Sequence, residues 1–176
     1  MALFRKEFSP MGDFLIPGFE DCFITFHLLI RFTMMSYYSR KLKLPFAEVV
    51  ARVTLSLKEQ GFGVVNTIDL QDTFHKKLNL SFRNYVILTA CNPQFAYKAI
   101  SVESHVGTML PCNVVVQEHE NGEVEVSAIN PRENIERYFI ASPLMDLASE
   151  VGNRLRAAID NIRRQVVEMR REALPT

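Results

Sequence analysis

A single amphipathic segment near the C-terminus most constrains the fold of this chain. Ser142-Pro143 begins the segment, because proline is tolerated in the first turn of a helix. Apolar residues then recur at helical spacing along one stripe, comprising Leu144, Leu147, Ala148, Val151, Leu155, Ala158, Ile159, Ile162, Val166 and Met169. The pattern predicts a long closing helix with one apolar face.

The dipeptide Asn121-Gly122 predicts a β-hairpin before this helix. It is the strongest short-range hairpin signal that a sequence gives. The two strands of the hairpin are predicted over residues 109–118 and 123–129. Residues 85–90, YVILTA, predict a further strand that is apolar on both sides and therefore buried.

Three shorter helices are predicted upstream. Apolar residues recur at helical spacing over residues 46–57, after Pro45, and Gly61 follows as a C-terminal cap. Either Asp69 or Asp72 can cap a short helix that runs through Leu78. The dipeptide Asn92-Pro93 starts another helix, because the asparagine side chain can accept hydrogen bonds from the amides of the first turn.

The predicted order of elements indicates an α+β domain. Residues 37–44 and 62–68 predict two additional strands, so the order is strand, helix, strand, short helix, strand, short helix, hairpin and long helix. Strands clustered in the middle of the chain, with one long closing helix, favour an antiparallel sheet with helices on one face. With 176 residues, 48% of them hydrophobic, the chain can bury the core of one domain without disulfides or metal.

Residues 1–35 are predicted to form an N-terminal extension, and residues 36–176 a single domain. The first segment mixes prolines, glycines and scattered phenylalanines without a sustained period. Met34 and Met35 stand at the boundary, which leaves open a start assigned upstream of the true one. The alternatives are a poorly structured tail and a short extension that packs on an apolar surface. An interfacial membrane helix is less favoured, because its polar face would hold few basic residues.

The charge balance gives no reason to expect a nucleic-acid partner. Lys plus Arg and Asp plus Glu number 20 each, so the chain has no global field that would attract a polyanion. Arginines are concentrated in the last helix, but acidic residues stand between them. This pattern is typical of a solvated helix face, with an anion-binding surface as the alternative.

The cysteines indicate a reducing compartment. Cys22, Cys91 and Cys112 occur in a chain without a recognisable secretory signal, so we expect free thiols and a cytoplasmic protein. The apolar run over residues 22–35 contains His27 and Arg31 and is shorter than the roughly 20 residues that a membrane span needs. No membrane span is therefore expected.

Two short segments repeat a Cys-Asn dipeptide at a strand end. They are Ala90-Cys91-Asn92-Pro93 and Leu110-Pro111-Cys112-Asn113-Val114. Together with the runs KEQGFGVVNTIDL, HKKLNLSFRNYVILTACNP, VGTML and VSAINP, these segments resemble the family called domain of unknown function number 302. The resemblance covers approximately residues 36–162.

This resemblance implies a fold and an assembly but no activity. Members of the family look like compact single domains of the TATA-binding-protein-like or helix-grip type, with a strand, a helix, a four-stranded antiparallel meander and a C-terminal helix. They are seen as dimers, so a homodimer is expected here. Gly107 precedes the LPCNV strand in the family pattern, and we expect it at a backbone turn that needs no side chain.

Cys91 and Cys112 are candidates for a thiol site. Antiparallel pairing of their strands, which the resemblance favours, would place both at the same end of the sheet. A close thiol pair could bind a soft metal, carry a persulfide or cycle through a disulfide if a neighbouring group lowers a pKa. The alternative is that both fill space as small buried hydrophobes. Two thiols are too few for a structural zinc site, so no metal is predicted.

Gly107 and three other residues complete the candidate site. His105 lies in the loop just before Gly107, and it is either a third ligand or general base, or an exposed loop residue. Asn92 is expected to cap a helix. Asn113 lies on an apolar strand, so we expect its amide to be buried and to bond the loop that holds Cys91. Of the two thiols, Cys112 is expected to be the more accessible.

The sequence leaves three functional hypotheses open. The first is a small-ligand-binding or interaction module that acts as a homodimer. The second is a thiol-based redox, sulfur-carrier or metal-handling protein that uses Cys91 and Cys112. The third is a catalyst at the same pocket, although no phosphate loop, nucleophile elbow, HExxH or CxxC motif is present and the sequence does not identify a cofactor. The aromatic residues available to line a cavity or a dimer interface are Tyr38, Phe62, Tyr85, Phe95 and Tyr97.

Overall fold

The computed structural model describes residues 37–138 and 142–172. The predicted N-terminal extension, residues 1–35 with Cys22, lies outside these described residues. The elements follow in the order β1 (Tyr37–Leu42), α1 (Phe46–Glu59), β2 (Gly63–Asp69), α2 (Leu70–Leu78), β3 (Tyr85–Cys91), α3 (Pro93–Val102), a 3₁₀ helix (Ser104–Met109), β4 (Cys112–Glu118), β5 (Val124–Ile129), α4 (Pro131–Tyr138) and α5 (Ser142–Glu172).

The five strands form one antiparallel sheet in the order β1-β5-β4-β3-β2. Strands β2 to β5 follow one another as a meander, and β1 adds to the β5 edge. The predicted α+β class, the antiparallel sheet and the long closing helix are therefore confirmed.

Helices α1 and α5 pack on one face of this sheet. The apolar stripe of α1 is buried because Val49, Val53 and Leu57 face the alternate, inward residues of the central strands, such as Val114 and Val116. A hydrogen bond also joins the two helices. The hydroxyl of Ser56, which is fully buried on α1, donates to the backbone carbonyl of Ala158 on α5 at 2.7 Å.

The opposite face of the sheet is left partly open by the described residues. The strand register places Ile68, Ile87 and Val115 side by side in one row across β2, β3 and β4. The same row continues through Ser127 and Ser39 on β5 and β1. All five side chains are half-buried or exposed. The row is therefore apolar at the β2 side and polar at the β1 side.

Local signals explain most of the element ends. Gly61 has a φ of +83° after α1, a conformation that residues with a side chain rarely adopt. The side chain of Asp69, one of the two predicted caps, accepts a hydrogen bond from the backbone N–H of Asp72 at 3.0 Å. Two short helices were not predicted, the 3₁₀ helix and α4. The strand predicted over residues 109–118 begins only at Cys112, because the 3₁₀ helix extends to Met109.

Candidate functional site

An apolar cavity of about 70 Å³ lies at the end of the sheet where β3 ends and β4 begins. The chain leaves β3 into α3 and enters β4 from the 3₁₀ helix, so both helices stand over this end. Helices α4 and α5 contribute further walls. The cavity is lined by Phe62, Ala90, Cys91, Asn92, Phe95, Ala96, Ala99, Val106, Met109, Leu110, Cys112, Ile129, Pro131, Asn134, Ile135, Leu144, Leu147, Ala148 and Val151.

The antiparallel register brings the two Cys-Asn segments to this cavity. Ala90 of β3 pairs with Cys112 of β4, so the end of one strand meets the beginning of the next. Cys91 and Cys112 therefore lie at the same end of the sheet, as antiparallel pairing implies. Both residues line the cavity, and both are free cysteines.

The two thiols differ in their environments. Cys112 is 6% exposed, whereas Cys91 is half-buried. Burial, and to a smaller extent the neighbouring Cys91, raises the pKa of the Cys112 thiol to about 11. The expectation that Cys112 would be the more accessible thiol is wrong, because the core-facing position beside Ala90 encloses it.

Asn92 is a structural part of the cavity wall. Its Oδ1 accepts hydrogen bonds from the backbone N–H groups of Gln94 at 3.0 Å and Phe95 at 3.3 Å, so it caps α3 as predicted. The residue is 9% exposed. A Cβ atom placed on Gly61 would lie 3.0 Å from Asn92 Nδ2, so the end of α1 packs tightly against this cap.

The structure places the other three candidates outside the cavity lining. The side chain of His105 is 85% exposed, and its Nδ1 lies 2.9 Å from Glu103 Oε1. Gly107 belongs to the 3₁₀ helix, and a Cβ atom there would meet no atom within 4 Å, so no steric contact requires glycine. Asn113 is exposed and pairs with Thr89 across the strands. The expectation that its amide would be buried is wrong, because it points to the face opposite Cys112 and Val114.

Only two of the five candidate aromatic residues line the cavity. Phe62 and Phe95 do so, and the guanidinium of Arg154 lies 5.0 Å from the centre of the Phe95 ring. Tyr97 is 75% exposed. The remaining two candidates, Tyr38 and Tyr85, are half-buried away from the lining.

The identity of the domain follows from comparison with known proteins. The profile of the family described as domain of unknown function DUF302 matches residues 38–162, which is most of the described chain. The chain belongs to the DUF302 family. The fold agrees with a solved DUF302 structure, described as the crystal structure of an uncharacterized conserved protein DUF302 from Bacillus stearothermophilus. The sequences are 30% identical with a TM-score of 0.67, over 72% of this chain and 98% of that one. No similar protein was found among curated proteins.

Several residues of this DUF302 cavity were missed by sequence reasoning. Asn134 and Ile135 reach it from α4, a helix that was not predicted. The signal was present, because Asn130-Pro131 repeats the helix-start dipeptide found at Asn92-Pro93.

Two further properties of the described DUF302 residues bear on chemistry. Within residues 37–138 and 142–172, no three His, Cys, Asp or Glu side chains are grouped so that they could hold a metal ion. Over the same residues, no helix combines the length and the apolar character needed to cross a membrane.

Proposed function

We propose that this DUF302 domain binds a small apolar molecule, or the apolar end of a larger one, in the cavity beside Cys112. The observation that carries the proposal is the chemistry of the lining. None of the described side chains that line the cavity is charged, and apart from two asparagines and two thiols they are hydrocarbon or thioether groups. A cavity of this kind favours apolar contents over water.

The size of the cavity fits a small guest. A single water needs about 10–15 Å³ of such volume, and an engineered cavity of about 150 Å³ binds benzene. At about 70 Å³ the space lies between these limits. It would hold a few heavy atoms, such as a short alkyl group.

Xenon and short alkyl alcohols are suitable probes because they enter apolar cavities without needing a specific partner. We expect them to shift the methyl NMR signals of Ala99, Ala148 and Val106 in a saturable manner. Ala99→Leu should abolish the shifts by filling the space. Ala47→Leu is the matched control, because Ala47 is exposed on α1 and does not line the cavity. Shifts that survive Ala99→Leu, or shifts confined to other parts of the domain, would contradict the proposal.

A homodimer is the second element of the proposal. It is supported by the apolar row of Ile68, Ile87 and Val115 on the open face and by the dimers that the family resemblance implies. Light scattering should give twice the chain mass of 20.2 kDa. Val115→Lys should lower that value to the mass of a monomer, whereas Leu78→Lys, at an exposed position on α2, should not. A monomer at all concentrations would refute this part.

Thiol chemistry has less support than ligand binding. With the pKa of Cys112 raised to about 11, little thiolate is present at neutral pH, and the thiolate is the reactive form. Cys91, half-buried at the cavity wall, is the residue on which a thiol function would depend. The free state of both described cysteines supports a reducing compartment, and a cytoplasmic location remains a prediction.

A further inference from the structure

A second polar site lies at the start of α4, outside the cavity lining. Asn130 is 8% exposed, and its Nδ2 donates to Glu133 Oε1 at 2.6 Å. In the part of the chain that the structure describes, Asn130 Oδ1 and Glu133 Oε2 are both buried without a hydrogen-bond partner. These two oxygens are acceptors, so the missing partner must be a hydrogen-bond donor.

The conformation of Asn130 differs from that of Asn92, although both precede a proline at a helix start. Asn92 Oδ1 accepts two backbone N–H groups of α3. Asn130 Oδ1 accepts none and lies instead beside α5, because a Cβ atom placed on Gly152 would be 3.5 Å from it. The same Cβ atom would be 3.7 Å from the Tyr38 hydroxyl oxygen. The side-chain oxygens of Asn130 and Tyr38 thus both lie beside Gly152, and Glu133 is connected to them through its hydrogen bond with Asn130 Nδ2.

The charges of this region favour a cationic donor. Glu133 carries a carboxylate, and none of the described Lys, Arg or His side chains forms an ion pair with it. The guanidinium carbon of the nearby Arg156 lies 5.4 Å from the centre of the Tyr38 ring, and its Nε lies 3.9 Å from Asp160 Oδ2. A water molecule could also donate to such oxygens, but it carries no charge to match that of the half-buried Glu133 carboxylate.

We propose that Asn130 and Glu133 form a binding site for an ammonium group, either the ammonium ion or the end of a primary amine. Asn130 Oδ1 and Glu133 Oε2 each accept one N–H, and the Tyr38 hydroxyl lies at the edge of the same space. An ammonium group has only donors, so it matches a set of oxygens better than a water does. Because neither Asn130 nor Glu133 lines the apolar cavity, the site does not depend on the proposed function.

Thermal unfolding of the full chain in ammonium chloride and methylammonium chloride tests the site. Sodium chloride and tetramethylammonium chloride at equal ionic strength are the controls, because neither cation has an N–H group. We expect the first two salts to raise the unfolding midpoint by a few degrees above the controls, since binding to the native state alone stabilises it. A higher midpoint in ammonium chloride alone would identify the bound group as the free ammonium ion. A higher midpoint in both ammonium chloride and methylammonium chloride would identify it as the end of a primary amine. Equal midpoints in all four salts would overturn the proposal and leave a buried water as the donor to the two oxygens.

Two variants identify the residues responsible. Gly152→Ala should raise the unfolding midpoint in sodium chloride, because alanine favours the helix and its Cβ would make ordinary contacts. The same Cβ should narrow the site, so the rise in midpoint caused by ammonium should become smaller. Glu133→Gln should abolish the response, because it removes the negative charge and replaces one carboxylate acceptor with an NH₂ donor. Glu136→Gln, at an exposed position on α4, is the matched control and should respond like the wild type. A full ammonium response in Glu133→Gln would overturn the assignment.

Discussion

Cys112 lies directly opposite Ala90 in the antiparallel register of β3 and β4, one residue away from the position opposite Cys91. Ala90 is completely buried against the helices, so Cys112 inherits a core-facing position. The two cysteines therefore share one end of the sheet but differ in burial. This one-residue offset determines which of the two thiols is accessible to reagents.

Alkylation should distinguish the two thiols. In the folded protein at neutral pH we expect Cys91 to react with iodoacetamide at least tenfold faster than Cys112, because the raised pKa of Cys112 suppresses its thiolate and because Cys91 is the more exposed residue. Peptide mass spectrometry after timed quenching would measure the two rates. Cys91→Ser should leave only the slow reaction, and Cys112→Ser only the fast one. Faster labelling of Cys112 would show that its burial is not maintained in solution.

The Cys112 thiol should make stability dependent on alkaline pH. Its pKa is about 11 in the folded domain against 9.0 ordinarily, so the folded state keeps the proton after the unfolded state has lost it. The resulting stabilisation is complete below pH 9.0 and disappears as the pH rises through about 11. We expect the wild type to lose about 2 kcal/mol more than Cys112→Ala over this range. Urea unfolding at several pH values measures the difference, and parallel pH profiles of the two proteins would contradict it.

Gly61 and Gly107 should differ in how strongly they respond to alanine. Gly61→Ala forces a side chain into a backbone with a φ of +83° and within 3.0 Å of Asn92 Nδ2, so we expect a loss of about 1–3 kcal/mol. Gly107→Ala meets no atom within 4 Å and should stay within about 0.5 kcal/mol of the wild type. Denaturant unfolding of both variants gives the comparison. A large loss at Gly107 would indicate a constraint on this residue outside the described structure.

Asn92 and Asn113 offer a second matched pair. Asn92→Ala removes the cap of α3 and should cost about 1–2 kcal/mol. Asn113→Ala changes an exposed side chain and should alter the free energy of unfolding by no more than about 0.5 kcal/mol. Each asparagine follows a cysteine in the same dipeptide. The difference between the two losses of unfolding free energy therefore measures the effect of position in the fold rather than of residue type. Equal losses would mean that the repeated motif has one shared role.

The sequence by itself determined the elements whose signals are local. The stripe from Leu144 onward, the Asn121-Gly122 turn and the Asn92-Pro93 cap each act through neighbours a few residues away, and all three elements are present. The antiparallel α+β class followed from their order. Helix α4 was also encoded locally, by Asn130-Pro131, and was overlooked because the segment is short and polar.

Only the tertiary structure decided which residues form the sites. Strand register placed Cys112 in the core and Asn113 on the open face, and a shift of one residue would have reversed them. The packing of α5 against the start of α4 brought Gly152 to Asn130 and Tyr38, residues far apart in the chain. Such long-range contacts depend on how whole elements fit together, so no local pattern around any one of these residues could have specified them.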